Sequence, residues 1–201
     1  MRKNECHGMK SVFTLIAVAA WCVLVVVWIV GYVARARTPG MPHARSHLTV
    51  QVPAACLLVV CFALLLNAHS PNMRMLVTSP GVLLGSLGDA LVLAGLGFAI
   101  WARVVLGHNW SGLVMMVRDG HQLVQRGPYA IVRHPIYTGL LAAILGTALT
   151  LGTLASWIAV ASGLAGILLR VDVEERLMAS EFGDAHAAYR EKTRKLIPFV
   201  W

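Results

Sequence analysis

Charge is what this sequence has least of. Only 13% of its 201 residues are Asp, Glu, Lys or Arg, about half the share of an ordinary soluble domain. Aromatic residues are few as well, at 7%. The four cysteines, Cys6, Cys22, Cys56 and Cys61, form no CxxC or Cys/His ligand spacing. Neither a zinc site nor a disulfide framework is supported, and no metal is expected. Walker, GxGxxG, HExxH and Ser/His/Asp patterns are missing too, which removes the enzymes that those motifs announce. What remains is 58% hydrophobic with a mean hydropathy of +0.71, the composition of a membrane protein. Its net charge of +8 fits loops lying against anionic headgroups, and no nucleic-acid partner is expected.

Long uncharged runs organise the chain. Val12 to Val33 is 22 residues without a formal charge, longer than the apolar core of a signal peptide, and is expected to remain as an anchor. Leu48 to Leu66 makes a second run, with Pro53 in its first turns, where a missing amide donor costs least. Gly81 to Ala102 is a third, interrupted only by Asp89. A carboxylate in a bilayer is either a functional group or one partnered by an Arg or hydroxyl from a neighbouring helix.

Between Arg133 and Arg170 lie 36 residues with no Asp, Glu, Lys or Arg. One helix of that length would run ~54 Å, against a hydrocarbon core of ~30 Å. A break at Thr150–Thr153 therefore predicts a short helical hairpin. Gly139, Ala143 and Gly146 on one arm, and Ala155, Ala159 and Gly163 on the other, are small residues that let helix backbones approach closely in lipid. From Arg170 to Tyr189 the pattern becomes amphipathic, with Val171, Met178, Phe182, Ala185 and Tyr189 on one stripe.

The expected fold is all-α: a polytopic membrane protein with about five transmembrane helices, the last two a short hairpin, plus a cytoplasmic loop and a C-terminal helix. Residues 1–105 are expected to form a membrane region of three spans, and 106–201 a second region of loop, helical hairpin and C-terminal amphipathic helix. With five spans, the 34–47 loop, the 103–133 loop and the C-terminal stretch share one side and hold thirteen of the seventeen Lys and Arg. The positive-inside rule puts that side in the cytoplasm. The basic N-terminal ten residues are discordant.

Chemistry concentrates in His121-Gln122-Leu123-Val124, Gly127-Pro128-Tyr129 and Arg133-His134-Pro135-Ile136-Tyr137-Thr138-Gly139. Pro135 suits the first turn of a helix and keeps His134 out of it. A helix start flanked by Arg133 and His134 is an anion site; the same residues also compose a plain interfacial collar. Arg170 and Glu174, four apart, face one way on the last helix, and the hairpin returns them to that interface. They read either as a local ion pair or, with Arg133 and His134, as a cleft for a zwitterion. His7, His69, His108 and His186 stand alone and are expected at the surface.

In order and spacing, these blocks, with Glu174-Glu175, Phe182-Gly183, Tyr189 and Leu196-Ile197-Pro198-Phe199, make the stretch from Leu106 to Trp201 resemble the isoprenylcysteine carboxyl methyltransferases, integral membrane enzymes with many bacterial members. The resemblance implies a cytoplasm-facing pocket for S-adenosyl-L-methionine lined by His121, Gln122, Leu123, Val124, Tyr129, Arg133, His134, Pro135, Ile136 and Tyr137. It also implies that Glu174 sits near the cofactor's amino group and that Arg170 orients the substrate carboxylate. The acceptor is then lipophilic or lipid-modified, and the membrane a bacterial inner membrane. Rival readings are a sterol-reductase-like enzyme using NADPH, a phospholipid N-methyltransferase, and a non-catalytic membrane scaffold.

Overall fold

The computed structural model describes residues 2–36, 42–45, 48–68, 70, 75, 77–78, 81–110, 116–118 and 122–198. Five helices carry the chain: α1 (Arg2–Ala36), α2 (Leu48–Asn67), α3 (Val82–Leu106), α4 (Pro135–Leu151) and α5 (Leu154–Lys192). Val12–Val33, α3 and α5 are long and apolar enough to cross a membrane, while Gln51–Asn67 and α4 are shorter apolar helices. Large side chains such as Leu15, Val30, Val59, Leu66 and Leu83 are exposed on the outside of the bundle. In water that would be a liability, whereas in lipid it is the solvated face. The protein is a multi-pass membrane protein.

The expected hairpin is present, and its turn is built by two residues. Gly152 takes the left-handed conformation (φ 67°, ψ 12°) that ends α4 and that a residue without Cβ adopts freely. Thr153 then caps α5, its Oγ1 accepting the Ser156 amide at 3.2 Å. The 75–78 segment covers the turn: the amides of Val77 and Thr78 donate to the Gly152 carbonyl, and that of Leu154 donates to Met75.

The small residues do build the bundle, with partners that the hairpin alone does not suggest. The glycine face of α4 packs against α3. A Cβ on Gly95 would stand 2.6 Å from the Gly139 carbonyl oxygen, and one on Gly146 would stand 2.5 Å from that of Gly88. The corresponding face of α5 meets α2, where a Cβ on Gly163 would stand 3.0 Å from Cys61 Sγ. Asp89 also finds its partner in this packing, accepting from Thr150 Oγ1 at 3.1 Å.

Two short strands add to the helices. Pro42–Arg45 (β1) pairs antiparallel with Met116–Arg118 (β2), with an irregularity between Pro42 and Ala44. Their pairing holds these described parts of the 34–47 and 103–133 loops together. The chain after α5 returns to the same side. Arg133 and His134 amides donate to the carbonyls of Arg194 (2.8 Å) and Lys195 (3.1 Å), and Thr138 Oγ1 donates to that of Leu196 at 2.7 Å. Leu196 is thereby buried with Ile167 and Val171 of α5.

The amphipathic stretch does continue α5, with one correction. Gly183 has φ 45° and ψ −120° inside it, a conformation that resets the helical phase. Val171 and Tyr189 are buried as the stripe requires, but Ala185 is exposed and His186 takes its place inside, 2% exposed. The surface position expected of His186 is therefore overturned. His69 lies outside the described residues, as do the side chains of His7 and His108.

Candidate active site

Helix α4 starts where its sequence demands, with Pro135 in the first turn and His134 in a non-helical conformation (φ −123°, ψ 59°) before it. That geometry turns the His134 ring towards α5, where consecutive carboxylates await it. Nδ1 lies 3.3 Å from Glu174 Oε2 and Nε2 lies 2.7 Å from Glu175 Oε1. Arg133 Nε donates to the same Glu175 oxygen at 2.8 Å, and its Nη1 donates to the Thr193 carbonyl at 2.6 Å. On the other flank, Arg170 Nε donates to the Tyr137 hydroxyl at 2.7 Å. That hydroxyl donates to Glu174 Oε1 at 2.5 Å.

These residues form one ionic chain, from Arg170 through Tyr137, Glu174, His134 and Glu175 to Arg133. Burial by itself lowers the pKa of the His134 ring, yet the hydrogen bonds and charges of Glu174 and Glu175 outweigh it, so the ring titrates above its usual value. Arg133 and Arg170 flank the two carboxylates, with His134 between them, so the cluster offers both signs of charge to a guest.

The cluster is the polar end of a cavity of about 440 Å³, within the range of small-molecule sites. Gln122, Leu123, Val124, Tyr129, Arg133, His134, Ile136, Tyr137, Arg170 and Glu174 all line it. Sequence reasoning had grouped these residues, and the fold brings them together. Two others stand differently. Pro135 is fully buried and does not face the cavity, so its part is to set the turn. His121 lies outside the described residues.

Several walls were not foreseen. Leu24, Val25, Trp28 and Ile29 of α1, with Leu58 and Phe62 of α2, give the cavity an apolar limb. Nothing in a continuous apolar run marks which side chains face a cavity and which face lipid. Trp110 adds an aromatic wall, edge-on to Trp28 with ring centroids 6.4 Å apart. The Arg103 guanidinium stacks on its other side, 4.1 Å from the ring centroid. Tyr189 fixes the loop by donating from its hydroxyl to the Tyr129 carbonyl at 2.6 Å. His186 Nε2 approaches Glu175 Oε2 at 3.9 Å; its burial behind the carboxylate was the one position that Gly183 concealed.

Fold and site together define a helical membrane protein whose interior joins an ionic pocket to a hydrocarbon-lined limb. Residues 84–185, just over half of the chain, match the family model described as phospholipid methyltransferase, and the chain belongs to that family. It is 37% identical over 101 residues to the protein-S-isoprenylcysteine O-methyltransferase of Schizosaccharomyces pombe, covering 49% of this chain and 43% of that one. It is also 32% identical over 112 residues to the cobalt-zinc-cadmium resistance protein CzcN of Cupriavidus metallidurans, covering 53% of this chain and 50% of that one. The chain thus spans half or less of the length of these two curated relatives. In fold it is similar to the eukaryotic intramembrane Ras methyltransferase ICMT (isoprenylcysteine carboxyl methyltransferase). The TM-score is 0.54 at 23% identity, covering 74% of this chain and 52% of that one. The resemblance read from the His121–Gly139 block is present in both sequence and fold.

Proposed function

We propose that this chain is an S-adenosyl-L-methionine-dependent methyltransferase that methylates the carboxylate of a lipophilic, membrane-embedded acceptor such as an isoprenylcysteine. The observation that supports this reading best is the single cavity in which the Arg170–Arg133 ionic chain meets the apolar limb of α1 and α2. A cofactor with a zwitterionic amino-acid end and a flat heterocycle fits that set of charged and aromatic groups. Glu174 accepts its amino group, and Gln122, Leu123, Val124 and Tyr129 flank the ring system. Arg133, His134, Ile136 and Tyr137 wall that compartment, and Pro135 sets the turn that presents them.

When bound, the cofactor would supply a sulfonium methyl that a carboxylate oxygen could take, sulfur leaving with the electron pair as a neutral thioether. No proton moves, so the chain has no need of a general base. Arg170 holds the acceptor carboxylate, and Tyr137 holds Arg170 and Glu174 in register. The apolar walls keep water out, which favours a step that cancels a cation and an anion, and alignment supplies much of the remainder. The basic loops suggest that the pocket opens to the cytoplasm of a bacterial inner membrane.

Calorimetry with S-adenosyl-L-methionine on detergent-purified protein tests the cofactor, and transfer of labelled methyl to S-farnesylcysteine tests the acceptor. Saturable binding and a labelled ester are the expected results. Folded protein that binds none at millimolar concentration overturns the reading, and thermal protection by NADPH instead points to a reductase. The family's description favours one further reading, an amine acceptor, which label on phosphatidylethanolamine rather than on the prenylcysteine would establish.

A further inference from the structure

The apolar limb of the cavity ends at one level on every helix that forms it. On the side of the ionic chain its walls are Ile29 and Tyr137, and its deepest lining residues are Leu24 of α1, Phe62 of α2 and Leu140 of α4. One turn deeper, Trp21, Leu65 and Ile144 no longer face it and instead pack around the buried Cys61 and Ala159. From Tyr137 to Leu140 is three residues of α4, and from Ile29 to Leu24 five of α1, so the limb is roughly 5–8 Å deep.

That floor is pinned. Phe62 stands edge-on to Trp21, with ring centroids 5.3 Å apart and an interplanar angle of 86°. The Trp21 indole N–H donates to Thr147 Oγ1 at 3.0 Å, and Thr147 Oγ1 donates to the Ala143 carbonyl at 2.8 Å. The same pair bridges α1 to α2. On the ionic side of that bridge, Val25 and Ile29 line the cavity and are 52% and 57% exposed.

We infer that the Trp21–Phe62 pair is the floor of the acceptor's hydrocarbon site and sets the chain length it takes, an inference that rests on the acceptor site proposed above. A short prenyl chain lies wholly in the limb, with its carboxylate at Arg170. A longer one runs into the Phe62 ring, which the edge-on contact with Trp21 keeps from swinging aside. Both residues lie outside the matched 84–185 stretch, so this limit belongs to the chain's own N-terminal half.

The test uses the full chain in phospholipid nanodiscs and reads displacement of labelled S-geranylcysteine by S-geranyl-, S-farnesyl- and S-geranylgeranylcysteine. Opening the floor with Phe62→Ala is expected to raise the geranylgeranyl-to-geranyl affinity ratio on the order of tenfold, the scale of a relieved overpacking clash. Phe62→Trp is expected to lower the ratio, and Trp21→Phe, which frees the pin, to raise it by less. Leu66→Ala, on the lipid face of the same helix, is expected to leave it unchanged. Phe62→Leu replaces Phe62→Ala should the latter fail to fold. A ratio that stays constant in folded variants of both directions, or a wild type that binds none of the three, overturns the inference. A shifted ratio in a protein that does not bind S-adenosyl-L-methionine overturns only the proposed reaction.

Discussion

His134 is shared by two adjacent carboxylates, Nδ1 lying 3.3 Å from Glu174 and Nε2 lying 2.7 Å from Glu175. Only the doubly protonated ring has an N–H for each, and the raised titration of His134 is the electrostatic form of that statement. A neutral ring would leave a lone pair facing a carboxylate oxygen across a hydrogen-bond distance, with 8% of the residue exposed to soften it. The charge on His134 therefore belongs to the folded state.

The sign of the resulting pH dependence follows. His134 has a folded pKa above its unfolded value near 6.5. Its stabilising contribution is complete below that unfolded value and is lost as pH rises through the folded one. Thermal melting in detergent is expected to show a decline on the alkaline side that His134→Gln flattens. A wild-type melting profile with no slope there, or an NMR titration of the ring below 6.5, would contradict it.

The glycine contacts give a sharper test of the bundle. At Gly95 an added Cβ meets the Gly139 backbone carbonyl at 2.6 Å, an atom that cannot rotate away. Gly95→Ala is expected to lower stability by about 1–3 kcal/mol, as overpacking does. Gly97, two residues along the same helix, has nothing within 4 Å of its added Cβ. Gly97→Ala is expected to be neutral or to stabilise by roughly 0.5–1 kcal/mol through helix propensity. Equal melting temperatures for the two variants would refute the close α3–α4 contact.

What the sequence made legible follows from physical necessity. The charge-free 134–169 stretch is too long for one crossing, so a hairpin had to form, and Pro135 fixed where α4 begins. The ionic cluster was legible because polar residue types at a membrane boundary are few. Three things were hidden. Gly183 reads as a tolerated helix residue until its φ of 45° is seen to shift the stripe from Ala185 to His186. The β1–β2 pair is seven residues, too short for alternation to show. The apolar limb is invisible because Leu24 and Phe62 differ from lipid-facing neighbours by position alone, and position on a uniformly apolar helix has no signature in hydropathy.

Asp89 is partnered through one oxygen, Oδ1, while its buried Oδ2 has no hydrogen bond among the described residues. Thr150 Oγ1 donates to Oδ1 at 3.1 Å, and Asp89 does not line the cavity. Asp89→Asn keeps an oxygen for that hydroxyl, so labelled-methyl transfer and melting temperature are both expected to stay at the wild-type level. Loss of transfer in a folded Asp89→Asn protein would move the functional centre from the loop side of the bundle to the buried Thr150 contact.

Tyr137 is where the two halves of the ionic chain are joined, accepting from Arg170 at 2.7 Å and donating to Glu174 at 2.5 Å. Tyr137→Phe removes both bonds while keeping the ring. The buried Arg170 Nε then loses an acceptor, at a cost of about 1–3 kcal/mol, which a melt will register without unfolding the protein. In the proposed reaction Tyr137 acts as a positioning residue, because it holds the group that grips the acceptor and the group that grips the cofactor. A displacement of Arg170 by an ångström is enough to cost on the order of a hundredfold in kcat/KM. The expected pattern is a raised KM for the prenylcysteine with a fall in kcat, and cofactor binding weakened less, since His134 still holds Glu174. A Tyr137→Phe variant with unaltered kcat and KM for the acceptor would show that the hydroxyl only fills space.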